Sequence, residues 1–151
     1  MSNNMILPAG KYWIGDPCYI FPNDGPMKDK WSELLEVSKY FKNEAPAILD
    51  EGKIKVWAGY TAYGDGVYIA NTGDQFCVDA GLIGIVPVET VEYLRRDDYN
   101  LDKMGLFVTF DEDFTATFYD GRFRFGSIII ETDYSDDEEE DAEDDYYDDE
   151  E

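Results

Sequence analysis

The chain has 151 residues, with 35 acidic and 12 basic side chains, a formal net charge of -23 and no histidine. Without histidine it cannot run a Ser-His-Asp or Cys-His mechanism or build a histidine-ligated zinc site. So acidic a body is not drawn to the phosphates of free DNA or RNA, nor to anionic lipid, while an apolar fraction of 44% is too high for a wholly disordered chain.

The N-terminal stretch "MSNNMILPAGKYW" lacks the basic start and apolar run of a signal peptide. No window approaches the roughly 18 apolar residues of a membrane span. The expectation is a soluble, cytoplasmic protein in a reducing compartment, with Cys18 and Cys77 free and Cys77 in the core. "GKYWIG" and "CYIF" read as short strands on either side of Gly15-Asp16-Pro17. "MKDKWSELLEVSKYFK" places Trp31, Leu34, Val37 and Phe41 on one helical arc, with Gly25-Pro26 as a start signal and Pro46 as a stop.

A β block then runs from Lys53 to Pro87. In "KIKVWAGY", Ile54, Val56 and Ala58 alternate with Lys53, Lys55 and Trp57. Gly64-Asp65-Gly66 and Thr72-Gly73-Asp74 are turns around the strand "VYIAN". "QFCVDAGLIGIVP" gives one or two strands broken at Ala80-Gly81. Pro87 opens a shorter helix, "VETVEYLRR", whose early acids and late Arg95-Arg96 suit the helix dipole. From Leu106 to Ile130, "LFVTF", "FTATFY" and "RFRFGSIII" predict a three-strand antiparallel meander. Asp120-Gly121 is its hairpin turn and Gly126 a bulge. Phe114, Ala116 and Phe118 share one face, and Thr115, Thr117 and Tyr119 the other.

The charge is uneven. Residues 131–151 hold fifteen of the acids and no base, hence -15, which leaves -8 on the first 130 residues (12 basic against 20 acidic). A like-charged run this dense repels itself and buries too little apolar surface to offset chain entropy. The organisation expected is therefore an α+β globular domain over 1–130, mostly antiparallel sheet with one or two packed helices, and an acidic low-complexity tail over 131–151 that is disordered from Asp133 to Glu151.

Residues that could carry chemistry are few. There is no P-loop, GxGxxG or C-x-x-C. Asp16, Asp65, Asp74 and Asp79 stand beside glycine, proline or strand ends. Asp16, Asp65 and Asp79 are the alternative set for a divalent ion, although turn chemistry is the favoured account of them. Cys18 lacks a neighbouring base and reads as a structural, half-buried thiol. Tyr12, Trp13, Tyr19, Phe21 and Trp57 read as core. Tyr60, Tyr63 and Tyr68 read as an exposed patch for a protein partner. Arg95 and Arg96 are either ordinary helix-end charge or a seat for an anion, including the chain's own tail.

The segments "WIGDPCYIF" and "YGDGVYIANTGDQFCVDAGLIGIVP" resemble stretches of small acidic proteins of bacteria and their phages, a resemblance that covers about a third of the chain and implies no mechanism. In charge class the chain is similar to phage DNA-mimic inhibitors, which occupy the DNA-binding grooves of host enzymes. It departs from them by concentrating its charge in a tail.

The expectation is thus a non-enzymatic interaction protein without cofactor, a phage-type inhibitor. It would block a basic, nucleic-acid-binding or defence protein by polyanion mimicry. Tail residues Tyr134, Asp136, Asp137, Glu138, Glu139, Glu140, Tyr146 and Tyr147 would join the tyrosine patch in partner contact. One alternative is a small-molecule-binding or metal-dependent hydrolytic domain with a solubilising tail. Another is an escort for histones or other basic proteins, with Ser135 before "DDEEE" as an acid-directed kinase site.

Overall fold

The computed structural model describes residues 3–22, 24–39, 47–94, 100–119 and 121–132. The architecture is α+β and mostly antiparallel. A four-stranded sheet has the order β1 (Asn3–Leu7), β9 (Phe114–Tyr119), β10 (Arg122–Phe125), β11 (Ile128–Glu131). A five-stranded sheet has the order β3 (Ala47–Leu49), β4 (Ile54–Tyr60), β7 (Leu82–Pro87), β2 (Gly10–Gly15), β8 (Leu106–Phe110). A ribbon of β5 (Gly66–Ile69) and β6 (Gln75–Val78) joins the first sheet through an antiparallel bridge between Ala70 and Ile130. Three helices are described: α1 (Lys30–Val37), α2 (Val88–Leu94) and α3 (Leu101–Met104).

The five-stranded sheet lies between two cores. Tyr12, Ile14, Ile83 and Ile85 face the four-stranded sheet and ribbon, meeting Phe76, Phe118, Phe123, Phe125 and Ile130. From the other face Trp13, Leu82 and Val86 pack with Ile54, Val56, Leu34 and Leu94. Burial on both faces explains why "LIGIVP" shows no alternation: a strand with no wet face has no position for a polar side chain. β9 and β10 have one wet face and do alternate. Phe114, Ala116, Phe118, Phe123 and Phe125 are buried, whereas Thr115, Arg122 and Arg124 are exposed.

The structure corrects several local expectations. "LFVTF" is not the first strand of the C-terminal meander. β8 pairs with β2, in the other sheet, from Leu106 opposite Ile14 to Phe110 opposite Gly10. The acidic corner Asp111–Asp113 carries the chain from one sheet to the other. The Phe110 and Phe114 rings stack at 3.6 Å between centroids across it, and the Asp113 carboxylate accepts from the Ala9 amide at 3.0 Å.

The meander consists instead of β9, β10 and β11, because "RFRFGSIII" folds into two strands. Phe125 pairs with Ile128 across a Gly126-Ser127 turn, so Gly126 is a turn residue rather than a bulge. "CYIF" is not a strand: Pro17–Tyr19 forms a 3-10 turn, since proline fixes φ and the Asp16 side chain caps it. Val37 is 56% exposed, outside the buried arc that Leu34 marks on α1. Pro87 ends β7, and the helix begins at Val88. Cys77 is only half-buried. Phe41, Arg95, Arg96 and Asp120 lie outside the described residues.

Gly121 shows why the β9–β10 hairpin needs glycine. Its φ is +81, and a Cβ there would lie 2.7 Å from both the Ala62 nitrogen and the Thr132 hydroxyl. Backbone strain alone costs about 1–3 kcal/mol, and the collision adds to it. Gly121→Ala should therefore lower the urea unfolding free energy by at least that amount. An unchanged unfolding midpoint would show that this corner relaxes freely.

Candidate functional site

The most buried charge belongs to Asp16. Its side chain is fully buried at the end of β2. One carboxylate oxygen accepts from the Cys18 amide at 3.0 Å. The other accepts from the Asp79 and Ala80 amides at 2.9 and 2.6 Å, and the Cys18 thiol adds a further hydrogen bond. The ring of Pro17 reaches Gly84 on β7, where any Cβ would lie 3.2 Å from Pro17 Cγ and 2.6 Å from the Trp57 carbonyl oxygen. Asp16 thus staples the β2 end to the β6–β7 turn. Burial pushes its carboxyl above the ordinary range, against the opposing pull of these amide donors. The neighbouring Tyr19 phenol is pushed up for the same main reason, its burial.

This arrangement is structural. Both oxygens of Asp16 are engaged by the backbone, Asp65 and Asp79 are exposed, and Asp74 accepts from its own turn at Thr72 Oγ1, 2.6 Å away. Among the described residues no group of three or more Cys, Asp or Glu is placed to hold a metal ion. The alternative set of Asp16, Asp65 and Asp79 is therefore not assembled into a metal centre.

A second polar assembly was not anticipated from the residues. Asp50 accepts from Lys30 at 2.7 Å and from the Tyr93 hydroxyl at 2.7 Å, linking α1, the β3–β4 turn and α2. The Lys30 hydrogen bond, then that of Tyr93, holds the Asp50 carboxyl below its usual range. Asp50 and Glu51 have φ of +51 and +56, an uncommon left-handed pair. No spacing rule brings Lys30, Asp50 and Tyr93 together, because the contact depends on how two helices dock on one sheet.

The tyrosine patch divides. Tyr60, at the end of β4, is 42% exposed, and Tyr63 is 60% exposed. Tyr68 is a correction: it is 5% exposed and faces the first core, and its hydroxyl donates to the Gly64 carbonyl at 2.9 Å. Thr61 Oγ1 donates to the same carbonyl at 2.7 Å, while the Thr61 amide donates to the Gly81 carbonyl. The Ala62 amide donates to Thr132 Oγ1 at 2.8 Å. Thr132 is fully buried, and its hydroxyl and amide both donate to the Gly121 carbonyl. The loop after β4 is therefore pinned at Thr61, Ala62 and Gly64, with Tyr63 exposed on it.

These bonds also fix where the acidic segment starts. Residue 133 follows a buried threonine bonded to the loop that carries Tyr63. Tyr134, Asp136, Asp137, Glu138, Glu139, Glu140, Tyr146 and Tyr147 lie outside the described residues, as does Ser135. No described helix is long and apolar enough to cross a membrane. In comparisons with known proteins, the chain matches no family model, no curated protein and no solved structure.

Asp16→Asn tests the staple. An amide has one acceptor oxygen and would turn its NH2 toward a backbone N–H, leaving a buried donor unmet at a cost of about 1–3 kcal/mol. The wild-type pH dependence has a definite sign. A raised folded-state pKa means that Asp16 contributes fully to stability below its unfolded value of about 3.9. That contribution falls as pH rises through the elevated folded value and is constant above it. Chemical denaturation of the two proteins from pH 3 to 8 should show this slope only with Asp16 present. Parallel curves would refute the assignment.

Proposed function

We propose that the protein is a non-enzymatic interaction protein that binds and blocks a basic partner, one whose basic surface ordinarily meets nucleic acid. Residues 133–151 act as a polyanionic arm. Their carboxylates stand in for phosphates and steer association with a Lys- and Arg-rich surface. The pinned loop with Tyr60 and Tyr63 supplies the shape-specific contact. Tyrosine anchors bury large area at low entropic cost, and a loop already held in place loses little freedom on binding.

One observation carries this reading: the Thr132–Ala62 hydrogen bond. It joins Thr132, the last described residue before the charged segment, to the loop that carries Tyr63, which supports a reading in which steering charge and anchoring surface form one composite site. The same reading covers a phage-type inhibitor of a host DNA-processing or defence enzyme, in keeping with the charge class of the chain.

Each exposed ion pair contributes at most about 1 kcal/mol and is screened by salt. Charge density should therefore matter more than tail sequence. In pull-downs from nuclease-treated lysate, the full chain should retain a single nucleic-acid-binding enzyme at moderate salt. A scrambled 133–151 segment should retain it too, whereas a version with Asn and Gln in place of the acids should not. With that partner, Tyr60→Ala and Tyr63→Ala should speed dissociation while leaving association nearly unchanged. Capture of only a broad spread of ribosomal and nucleoid proteins, or equal capture by the neutralised tail, would sink the proposal.

A further inference from the structure

The edge of the five-stranded sheet presents a second, distinct surface. Among the described residues, β8 pairs with β2 alone, so the backbone groups on its other side have no strand partner. Its sequence, "LFVTF", contains no charge and no proline. Edge strands usually carry a lysine, a proline or a bulge that discourages further pairing. Here Phe107 is instead 40% exposed, and Leu106, Val108 and Phe110 are only partly buried. Such an edge is a template for strand addition.

The surroundings of the strand select what is added. Beyond its C-terminal end Asp111, Glu112 and Asp113 are all exposed. At its N-terminal end a hollow is lined by Asp74, Asp102 and Lys103 together with Phe107. Acids thus outnumber bases at both ends of an uncharged, partly apolar strip. A second copy of this chain is repelled by a net charge of -23, and the chain's own acidic segment is repelled by the same carboxylates. The complementary ligand is an extended basic segment.

We propose that β8 is a docking edge at which an extended, Lys- or Arg-rich segment of the partner adds as a further antiparallel strand. Main-chain hydrogen bonds to Leu106–Phe110 supply the pairing. The acids at both ends receive its cations, and apolar side chains of the segment cover Phe107. The high overall charge then has a second role, because it leaves an unprotected edge open to basic segments while keeping copies of this protein apart. This inference rests on the reading of the protein as a binder of basic partners and deepens it.

The test uses the full chain and a full-length version with Asn and Gln replacing the acids of 133–151. The probe is a short peptide of alternating lysine and valine, beside an N-methylated peptide of the same sequence and a glutamate-valine peptide. Amide hydrogen exchange should slow at Leu106–Phe110 with the lysine peptide in both proteins. N-methylation, which removes the pairing donors without altering charge, should weaken binding to the tail-neutralised chain by about tenfold or more. Asp111→Asn with Glu112→Gln should weaken it further, and the glutamate peptide should not bind. Equal binding of the methylated peptide, or binding without slowed exchange in β8, overturns the docking edge. Loss of all peptide binding on tail neutralisation also overturns it, while leaving the polyanionic arm intact. Conversely, slowed exchange in β8 together with unchanged lysate capture by the neutralised tail removes the arm and leaves the edge.

Discussion

A carboxylate buried, among the described residues, against backbone amides rather than a cation shapes much of this molecule. Asp16 gives both oxygens to backbone amides, from its own 3-10 turn and from the β6–β7 turn. A buried charge is tolerated only when its lone pairs are satisfied. These donors exist in the right places only if β2 ends at Gly15, Pro17 packs over Gly84 and the chain turns at Asp79-Ala80. The staple extends the β2–β7 ladder to the turn that precedes β7, at one end of the central sheet on which both cores are built.

From that sheet the chemistry of the two sides diverges. One side is closed by the four-stranded sheet, with edge-on packing of Phe118 against Phe123 and Phe125. The other is closed by short helices and the Pro17–Phe21 turn, where Phe21 meets Trp31. The helical side is held at its rim by the bonds from Lys30 and Tyr93 to Asp50. Polar side chains with fixed partners therefore act mainly as fasteners between elements. Among the groups left facing solvent are Tyr60, Tyr63 and the uncharged edge strand β8.

Charge and shape are divided between parts of the chain. The last 21 residues hold -15 of the total charge, and the body supplies the exposed Tyr60 and Tyr63 beside a hydrogen-bonded loop. The Thr132–Ala62 bond links the two, because Thr132 directly precedes the charged segment and Ala62 adjoins Tyr63, the most exposed tyrosine among the described residues. A freely placed tail would raise encounter rates anywhere on the body. Under the proposed function, a tail that follows Thr132 would raise them near the loop that carries Tyr63.

The amino-acid pattern alone was enough to specify the α+β class, the β9–β10 hairpin, the β5–β6 turns and the contrast in charge between body and tail, but not the turn that splits "RFRFGSIII" into β10 and β11. Those features are local: alternation, glycine turns and charge density act between near neighbours in the chain. It did not specify that β8 leaves the meander to pair with β2, because alternation says which face of a strand is apolar and nothing about which strand lies beside it. It placed Tyr68 among the exposed tyrosines, since a tyrosine beside a glycine turn looks the same in either role until Gly64 and the opposing sheet are in position. Asp16 was singled out as a turn acid, yet its role came from amides 63 and 64 residues away. Burial and partner choice are properties of the assembled layers, so only the tertiary structure decided which tyrosines meet solvent, which acid is a staple and where the charged segment begins.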